Sequence, residues 1–298
     1  MGDYLDIMAF NGLPALFDDK VQNTELFVQK RIYETLPLLS FLPVNQNPTG
    51  LFTNYINGNV ELGDPEYSNN NITFNEIKFG QGQTVGGQTL PIGFKYAANT
   101  RDEQRGKYES SLMSFFNSAV AKIADFYEEQ FMTGMVNGAR ASSNTPDFST
   151  ASDIIDTELT LDDEMRYDSQ GNATGYAPSI ALVSRATKLD VDKALRKEDY
   201  VSNFQYIASN KLTDNDLILF DGNNPALTVE KYADPNYSVI QSLEDDGISI
   251  AEPGAIPQAF INLKSEDTGR PQTIDYYIWA EANINILDSN GILKATFS

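Results

Sequence analysis

The sequence predicts an α+β protein in which extended strands and one long helix share the core. Three patterns support this fold class. Residues 89–98 alternate apolar and polar side chains as a half-buried strand does, and residues 108–136 repeat apolar side chains at the spacing of an amphipathic helix. From residue 216 onward, short apolar runs are separated by turn signals, which is typical of a series of strands.

The composition excludes several classes of functional site. The chain of 298 residues contains neither cysteine nor histidine, which excludes disulfides, thiol nucleophiles, Ser-His-Asp catalysis and the usual zinc and haem sites. We therefore expect no metal and no cofactor. The net charge of −21 repels nucleic-acid phosphates and anionic lipids. No apolar run is long enough to span a membrane, and the first ten residues carry acids where a secretory signal carries Lys or Arg.

The N-terminal segment contains one predicted helix. Asn23 or Thr24 is positioned to cap it, Val28 and Ile32 fall on one face, and Pro37 would end it. This pattern fits an arm lying on a neighbouring subunit and a segment packed on its own domain equally well.

Two alternating runs predict a long hairpin. Residues 71–79 and 89–98 are the expected strands, and the Gly-rich residues 80–88 the expected turn. A two-stranded hairpin is marginal alone in water, so we expect a neighbouring subunit to cover its apolar face. The residues predicted to form this subunit interface are Ile72, Phe74, Ile77, Phe79, Leu90, Ile92 and Phe94.

The strongest single pattern is the helix that follows. Thr100 and Glu103 form a capping box, residues 108–136 carry the apolar stripe, and Gly138 is a suitable stop. At about 1.5 Å per residue the stripe is roughly 40 Å long, enough to cross a domain. Its predicted core residues are Leu112, Phe115, Phe116, Ala119, Ile123 and Phe126.

The second half of the chain reads mainly as strands. A helix capped by Thr187 and Asp190 interrupts them, and Asn290-Gly291 predicts a hairpin between the last two strands. The predicted strands are residues 154–161, 179–184, 216–220, 228–232, 238–243, 248–251, 258–263, 274–287 and 292–297.

This order of elements resembles the major capsid proteins of tailed bacteriophages, which have the Hong Kong 97-type fold. The resemblance covers nearly the whole chain and rests on element order and length. It implies an N-terminal arm (1–50), an extended hairpin loop (51–100), a spine helix with a peripheral domain (101–176), an axial domain (177–263), and C-terminal strands that return to the peripheral domain (264–298). The segment APSIALVSRATKLDVDKAL has the strand-then-helix form common in that family.

The resemblance implies a major capsid protein without enzymatic activity. Its subunits would form the hexamers and pentamers of an icosahedral shell that encloses double-stranded DNA without sequence-specific binding. The shell would assemble in the host cytoplasm and be found in the virion, with portal and decoration proteins as further partners. The chain lacks room for a cleaved scaffolding segment before its arm, so any scaffold is expected to be a separate protein. Lys78 and Lys95 lie in the predicted loop, but no asparagine is marked as a partner for the Lys–Asn cross-link of some family members.

Three alternatives remain open at this stage. The first is an encapsulin-like compartment, which has the same fold but encloses enzyme cargo instead of nucleic acid. The second is another phage structural protein, such as a tail component. A glycosidase could use paired carboxylates, for which residues 162–164 and 244–246 are the candidates. Because the chain has 42 acidic residues, a solvated surface explains these clusters better.

Overall fold

The structure is a computed structural model in which residues 28–56, 60–61, 78–79, 83–99, 108–168, 171–197, 201–213, 215–232, 260–267 and 273–297 are described. These residues fall into two compact units. The first unit takes its described residues from Met1–Gly50, Gln88–Glu129 and Val229–Asn283. The second takes them from Leu51–Gly87, Gln130–Thr228 and Ile284–Ser298.

The first described residues of the first unit are helical, as predicted. Residues 28–35 form helix α1, and Pro37–Ser40 continue as a short 3₁₀ turn. Val28, Ile32 and Leu36 are buried on one face of this segment. Asn23 and Thr24, the predicted capping residues, lie outside the described residues.

The first five-stranded sheet includes the predicted strand at residues 89–98. Its order is β1-β11-β13-β12, and β6 also pairs with β13. β1 runs parallel to β11, whereas β12 and β6 run antiparallel to β13. The strands of this sheet are β1 (Val44–Asn47), β6 (Leu90–Asn99), β11 (Leu227–Tyr232), β12 (Asn262–Asp267) and β13 (Thr273–Ile286).

The 14 residues of β13 follow the predicted alternation closely. Every second side chain from Tyr276 to Ile286 is buried, while Ile274 at the start of the strand is only partly buried. Alternate residues of a strand point to opposite faces of the sheet, so this series lines one buried face.

The long helix α2 spans Tyr108–Gly138. The expected helix over residues 108–136 is therefore confirmed, and Gly138 is its last residue. Thr100 and Glu103, the predicted capping box, lie outside the described residues.

The second five-stranded sheet has the order β7-β14-β10-β8-β9. Its hydrophobic core includes Leu161, Val183, Leu217, Leu219 and Leu293. The strands are β7 (Arg140–Ala141), β8 (Ile180–Ser184), β9 (Gln205–Ser209), β10 (Asp216–Phe220) and β14 (Ile292–Thr296).

The predicted strand at residues 154–161 is wrong, because helix α3 spans Ala151–Arg166. Thr150 caps this helix by accepting a hydrogen bond from the backbone N–H of Asp153. Ile154, Leu161 and Met165 are buried at three-four helical spacing. An N-cap Thr followed three residues later by an acid was the sequence signal for this helix.

Helix α4 spans Arg185–Lys197. It begins two residues before Thr187, the predicted cap. Ser184, the last residue of β8, provides the cap instead, because its hydroxyl accepts a hydrogen bond from the backbone N–H of Thr187 at 3.1 Å.

The hairpin predicted at Asn290-Gly291 is also wrong. β14 pairs with β10 and β7 rather than with β13. A 3₁₀ turn at Ser289–Gly291 links the two strands, and Asp288 caps it. Gly291 packs against Ala226 and the ring of Tyr176, so this glycine serves close packing and not a hairpin turn.

Candidate assembly element and its root

A long hairpin leaves the first sheet between Gly50 and Thr89. The remaining short strands are β2 (Leu51–Ile56), β3 (Val60–Glu61), β4 (Lys78–Phe79) and β5 (Gln83–Gln88). β2 pairs with β5, and β3 pairs with β4 with Val60 opposite Phe79. The backbone N–H of Thr89 donates to the carbonyl of Gly50 at 2.8 Å, which places these residues in the same register. The described pairs Gly50–Thr89 and Val60–Phe79 therefore belong to the same antiparallel register.

This register corrects the predicted pairing of residues 71–79 with residues 89–98. The described hairpin strands are β2–β3 and β4–β5, and residues 83–88 of the predicted turn form strand β5. β6 instead pairs along its whole length with β13. Alternation in residues 89–98 identified the faces of β6 correctly but carried no information about its partner.

The predicted interface residues are consequently divided between two places. Leu90, Ile92 and Phe94 lie on β6 in the first sheet and are partly buried. Phe79 lies on β4 in the hairpin. Ile72, Phe74 and Ile77 lie outside the described residues.

The described base of the hairpin carries an exposed apolar side chain. Leu51 is 65% exposed. The ring of the next residue, Phe52, lies directly over Gly87, and a Cβ at position 87 would overlap this ring. Phe52 and Gly87 are opposite each other in the register set by Gly50 and Thr89, and an aromatic ring across a strand glycine is a known stabilising pair.

The first strand of the hairpin begins at a capped turn. The Asn47 side-chain oxygen accepts hydrogen bonds from the backbone N–H groups of Thr49 and Gly50 at 3.0 and 2.9 Å. Gly50 has φ of 66°, a left-handed conformation that favours glycine. The Asn47 amide in turn donates to the buried Glu230 carboxylate at 3.3 Å. Asn45 donates to the other oxygen of Glu230 at 3.2 Å.

The second strand of the hairpin is held to β13. The hydroxyl of Thr89 donates to the carboxylate of Glu281 at 2.8 Å. The side-chain amide of Asn283 donates to the carbonyl of Gln88 at 2.9 Å. Carboxylate acceptors give the stronger kind of hydrogen bond, so Glu230 and Glu281 fix the two sides of the hairpin root.

Helix α2 reaches the same root through Tyr127, which is fully buried. Its hydroxyl donates to the Leu90 carbonyl at 2.7 Å and accepts from the Ala282 N–H at 3.2 Å. Burial raises the pKa of this phenol, so the group stays protonated and able to donate.

The predicted core residues of α2 do not all lie in the core. Leu112, Phe116, Ala119 and Ile123 are buried. Phe115 and Phe126 are only partly buried and lie at the margin of the buried face. Phe115 stacks on Tyr96 of β6 with ring centroids 5.3 Å apart. The buried face also includes Val120, Ala124 and Met132, which the predicted stripe left out.

Sequence reasoning missed Asn47, Thr89, Tyr127, Glu230 and Glu281 as root residues. One local signal was present, because Asn47-Pro-Thr-Gly50 has the composition of a capped turn. The other contacts join positions far apart in the chain and have no local signature.

Lys95 lies in the first sheet and not in the extended loop where it was predicted. It lies on β6, where its ammonium is 2.5 Å from the Asp275 carboxylate and lies over the ring of Tyr277. The hydrogen bond to Asp275 raises the pKa of Lys95, which favours the non-nucleophilic charged form.

The acid cluster at residues 162–164 has structural contacts. Asp162 pairs with Arg166 at 2.6 Å. The two Glu164 oxygens accept hydrogen bonds from Ser142, Ser143 and Asn144. Among the described residues, no three acidic side chains are grouped as metal ligands would be. No described helix is long and apolar enough to cross a membrane.

No family sequence model and no curated protein matches the sequence. Solved structures do match the fold. A virus-like particle protein from Pyrococcus furiosus aligns with a TM-score of 0.55 at 12% identity, covering 90% of this chain and 97% of that one. The capsid protein of the cyanophage P-SCSP1u aligns with a TM-score of 0.52 at 9% identity, covering 87% and 86%.

The chain has the Hong Kong 97-type capsid fold. The SrpI encapsulin of Synechococcus elongatus PCC 7942 also aligns, with a TM-score of 0.50 at 10% identity, covering 99% of this chain and 94% of that one. The fold of this chain thus aligns with shell proteins of both viruses and encapsulins. The predicted α+β class is confirmed.

Proposed function

We propose that this chain is the structural subunit of a closed icosahedral virus shell that holds double-stranded DNA. The observation that carries the proposal is that the described strand pairs β2–β5 and β3–β4 share the register set by Gly50 and Thr89, on a capsid-type fold. A two-stranded hairpin buries little apolar surface by itself, so it gains stability when another surface covers it. In a homo-oligomeric shell, a neighbouring subunit provides that surface.

The proposal assigns parts of the chain to roles in the shell. Residues 1–50 form the arm, 101–176 the spine helix and peripheral domain, 177–263 the axial domain and 264–298 the returning strands. The extended loop is limited to residues 51–88, because β6 is a strand of the first sheet. Hexamers and pentamers of this subunit would make up the shell in the virion.

The charge of the chain supports a container role. With 42 acidic and 21 basic residues, the subunit carries a net charge of −21. Each phosphate that a protein neutralises adds salt-dependent adhesion to DNA. An acidic shell therefore encloses DNA without binding it tightly, and needs no catalytic group to do so.

An encapsulin-like compartment is the second candidate, favoured by the alignment with the SrpI encapsulin. The two functions differ in what the shell contains. Particles produced in cells should carry nuclease-protected double-stranded DNA if the chain is viral, and protein cargo if it forms a compartment.

Assembly itself is tested with purified subunit by size-exclusion chromatography and negative-stain microscopy. Closed particles are expected, with a co-expressed scaffolding protein as a variable of the experiment. A compact monomer under every condition, with and without candidate scaffold, would contradict the proposed function.

A further inference from the structure

Exposed apolar side chains are concentrated on and beside two helices of the second unit. Among the described residues, six large apolar side chains are exposed. Four of them belong to helices α3 and α4 or follow these helices closely, namely Leu159, Tyr167, Leu189 and Val201. Leu159 is 58% exposed and Leu189 is 55% exposed. Apolar side chains that gather in one part of a surface indicate an interaction site, whereas single scattered ones do not.

The exposed face of α3 is acidic around its leucine. Asp156 precedes Leu159 by three residues and Asp163 follows it by four, so the three side chains lie on one face of the helix. Both carboxylates are exposed, and neither takes part in an ion pair with any other described residue. With six acidic residues and one basic residue among its 16, α3 has a net charge of −5.

A groove lies beside this acidic face. Its volume is about 840 Å³, and Leu159 is part of its lining. The acidic residues that line it are Asp163, Glu164 and Asp168, and the basic one is Arg140. A concave surface with an exposed leucine and an excess of carboxylates suits a partner that presents cations around an apolar side chain.

Helix α4 has the opposite charge around its own exposed leucine. Arg185 lies four residues before Leu189 and Arg196 lies seven residues after it, so these side chains share one face of the helix. Both arginines are exposed, and the part of the chain that the structure describes offers neither an ion-pair partner. Asp192, which lies between them in sequence, is paired with Lys188 at 3.0 Å. With five basic and two acidic residues, α4 has a net charge of +3 in a chain of −21.

We propose that α4 of one subunit docks on the acidic face of α3 and its groove in a second copy of the chain. Two subunits that each carry a net charge of −21 repel each other, so a contact that places cations against anions is favoured. In this contact Leu159 and Leu189 form the apolar centre, and Asp156 and Asp163 meet arginines at the rim. Each copy presents both surfaces and can use one on each of two neighbours, as subunits of a ring do. The inference rests on the proposed function, since it names a contact between shell subunits.

DNA is the other partner that exposed arginines could bind. Contacts to phosphates use cations and gain nothing from a leucine between them. Leu189 between arginines and Leu159 between carboxylates, in contrast, match each other in both charge and apolar character. A second copy of the chain therefore accounts for both faces, whereas DNA accounts only for the basic one.

Charge reversal followed by rescue tests this contact. Arg185→Glu with Arg196→Glu makes the α4 face acidic, and Asp156→Lys with Asp163→Lys makes the α3 face basic. Because all four positions are exposed, both double variants should unfold in urea as the wild type does. We expect each to associate with itself at least roughly tenfold more weakly than the wild type, since like charges then face each other.

Mixing the two double variants restores opposite charges at the contact. An equimolar mixture should recover the association of the wild type, measured by analytical ultracentrifugation at low ionic strength, where charge pairs are least screened. The control is Arg185→Lys with Arg196→Lys, which keeps the charge and should associate normally.

Three results overturn the inference. The first is unchanged self-association of either charge-reversed variant. The second is a mixture that associates no better than either variant alone. The third is normal particle formation by Arg185→Glu with Arg196→Glu together with a lower DNA content, because α4 then serves the contents of the shell and not a neighbouring subunit.

The two proposals fail separately. If the mixed variants associate as expected but the wild type never forms closed particles, the contact is supported and the shell function is contradicted. If the wild type forms closed particles and charge reversal leaves their yield unchanged, the shell function is supported and this contact is contradicted.

Discussion

Ile284 of β13 packs its Cγ2 methyl group against Gly134 of helix α2, in the space where any other residue at position 134 would place its Cβ. A Cγ2 methyl sits on the branched carbon of isoleucine, whose χ1 angle is stiff, so it cannot swing aside easily. Gly134 is therefore required by packing, although glycine weakens the middle of a helix.

Gly134→Ala is expected to destabilise the subunit. Overpacking of this kind costs about 1–3 kcal/mol, and the gain in helix propensity returns about 1 kcal/mol. We therefore expect a net loss of up to roughly 2 kcal/mol in the free energy of unfolding, measured in urea. Gly86→Ala is the control, because a Cβ at Gly86 meets nothing within 4 Å.

A double-mutant cycle identifies the cause. If Ile284 is the obstructing side chain, Gly134→Ala costs less in an Ile284→Ala background than in the wild type. Strict additivity of the two changes would show that the glycine is needed for another reason.

The partly buried and buried aromatic residues of α2 should differ in their contribution to stability. Phe116 is 2% exposed, and Phe116→Ala should cost about 3–5 kcal/mol. Phe126→Ala removes a ring that is only partly buried, so its cost should be clearly smaller. Thermal and urea unfolding measure both. If both substitutions lowered the free energy of unfolding equally, Phe126 would be a core residue, as the sequence pattern predicted.

Burial of Lys231 should make the stability of the subunit rise with pH. Its side chain is buried and donates to the Asn262 oxygen at 3.0 Å. Burial lowers its pKa from 10.5 to about 8. Below pH 8 the lysine is charged in both states and the folded state bears the cost of burying it. Stability should therefore rise with pH between about 8 and 10.5, by up to roughly 3 kcal/mol.

Lys231→Met isolates this effect. At pH 7 the variant should be more stable than the wild type, because it buries no charge. The loss of the lysine as a hydrogen-bond donor to the Asn262 oxygen reduces this gain. The difference in the free energy of unfolding should shrink as the pH rises to 10. Urea unfolding at several pH values provides the comparison, with the exposed Lys193→Met as control. A constant difference at every pH would mean that Lys231 does not titrate as the burial requires.

Faces of elements could be predicted from this sequence, whereas partners of elements could not. The buried series Tyr276–Ile286 follows from alternation alone, because the face of a strand is a local property. The partner of β6 is more than 170 residues away, and nothing in residues 89–98 distinguishes β13 from residues 71–79 as a partner. The hairpin root depends on the same kind of distant contact, such as Thr89 with Glu281.

Glu164 should make the loop at residues 142–144 sensitive to acid. Burial opposes ionisation of this carboxyl, but hydrogen bonds from Ser142, Ser143 and Asn144 prevail and hold its pKa below the usual value. A lowered carboxyl pKa gives stability that is present above the unfolded pKa and is lost as the pH falls through the folded value. Glu164→Gln should therefore speed exchange of the Ser143 amide at neutral pH and reduce its acid sensitivity. Asp163→Asn, on the same helix, is the control. Identical exchange in both variants would show that Glu164 does not hold the loop.

The exposed base of the hairpin should matter for assembly and not for folding. Leu51 is 65% exposed in the subunit, so Leu51→Ser removes little buried surface and should change urea unfolding by less than about 0.5 kcal/mol. If a neighbouring subunit covers Leu51, the same change removes an apolar contact that recurs at every copy of the interface, and the yield of closed particles should fall strongly. Leu51→Met keeps an apolar side chain at this position and should assemble as the wild type does. Normal particle yield from Leu51→Ser, together with normal folding, would show that the base of the hairpin is not part of the subunit interface.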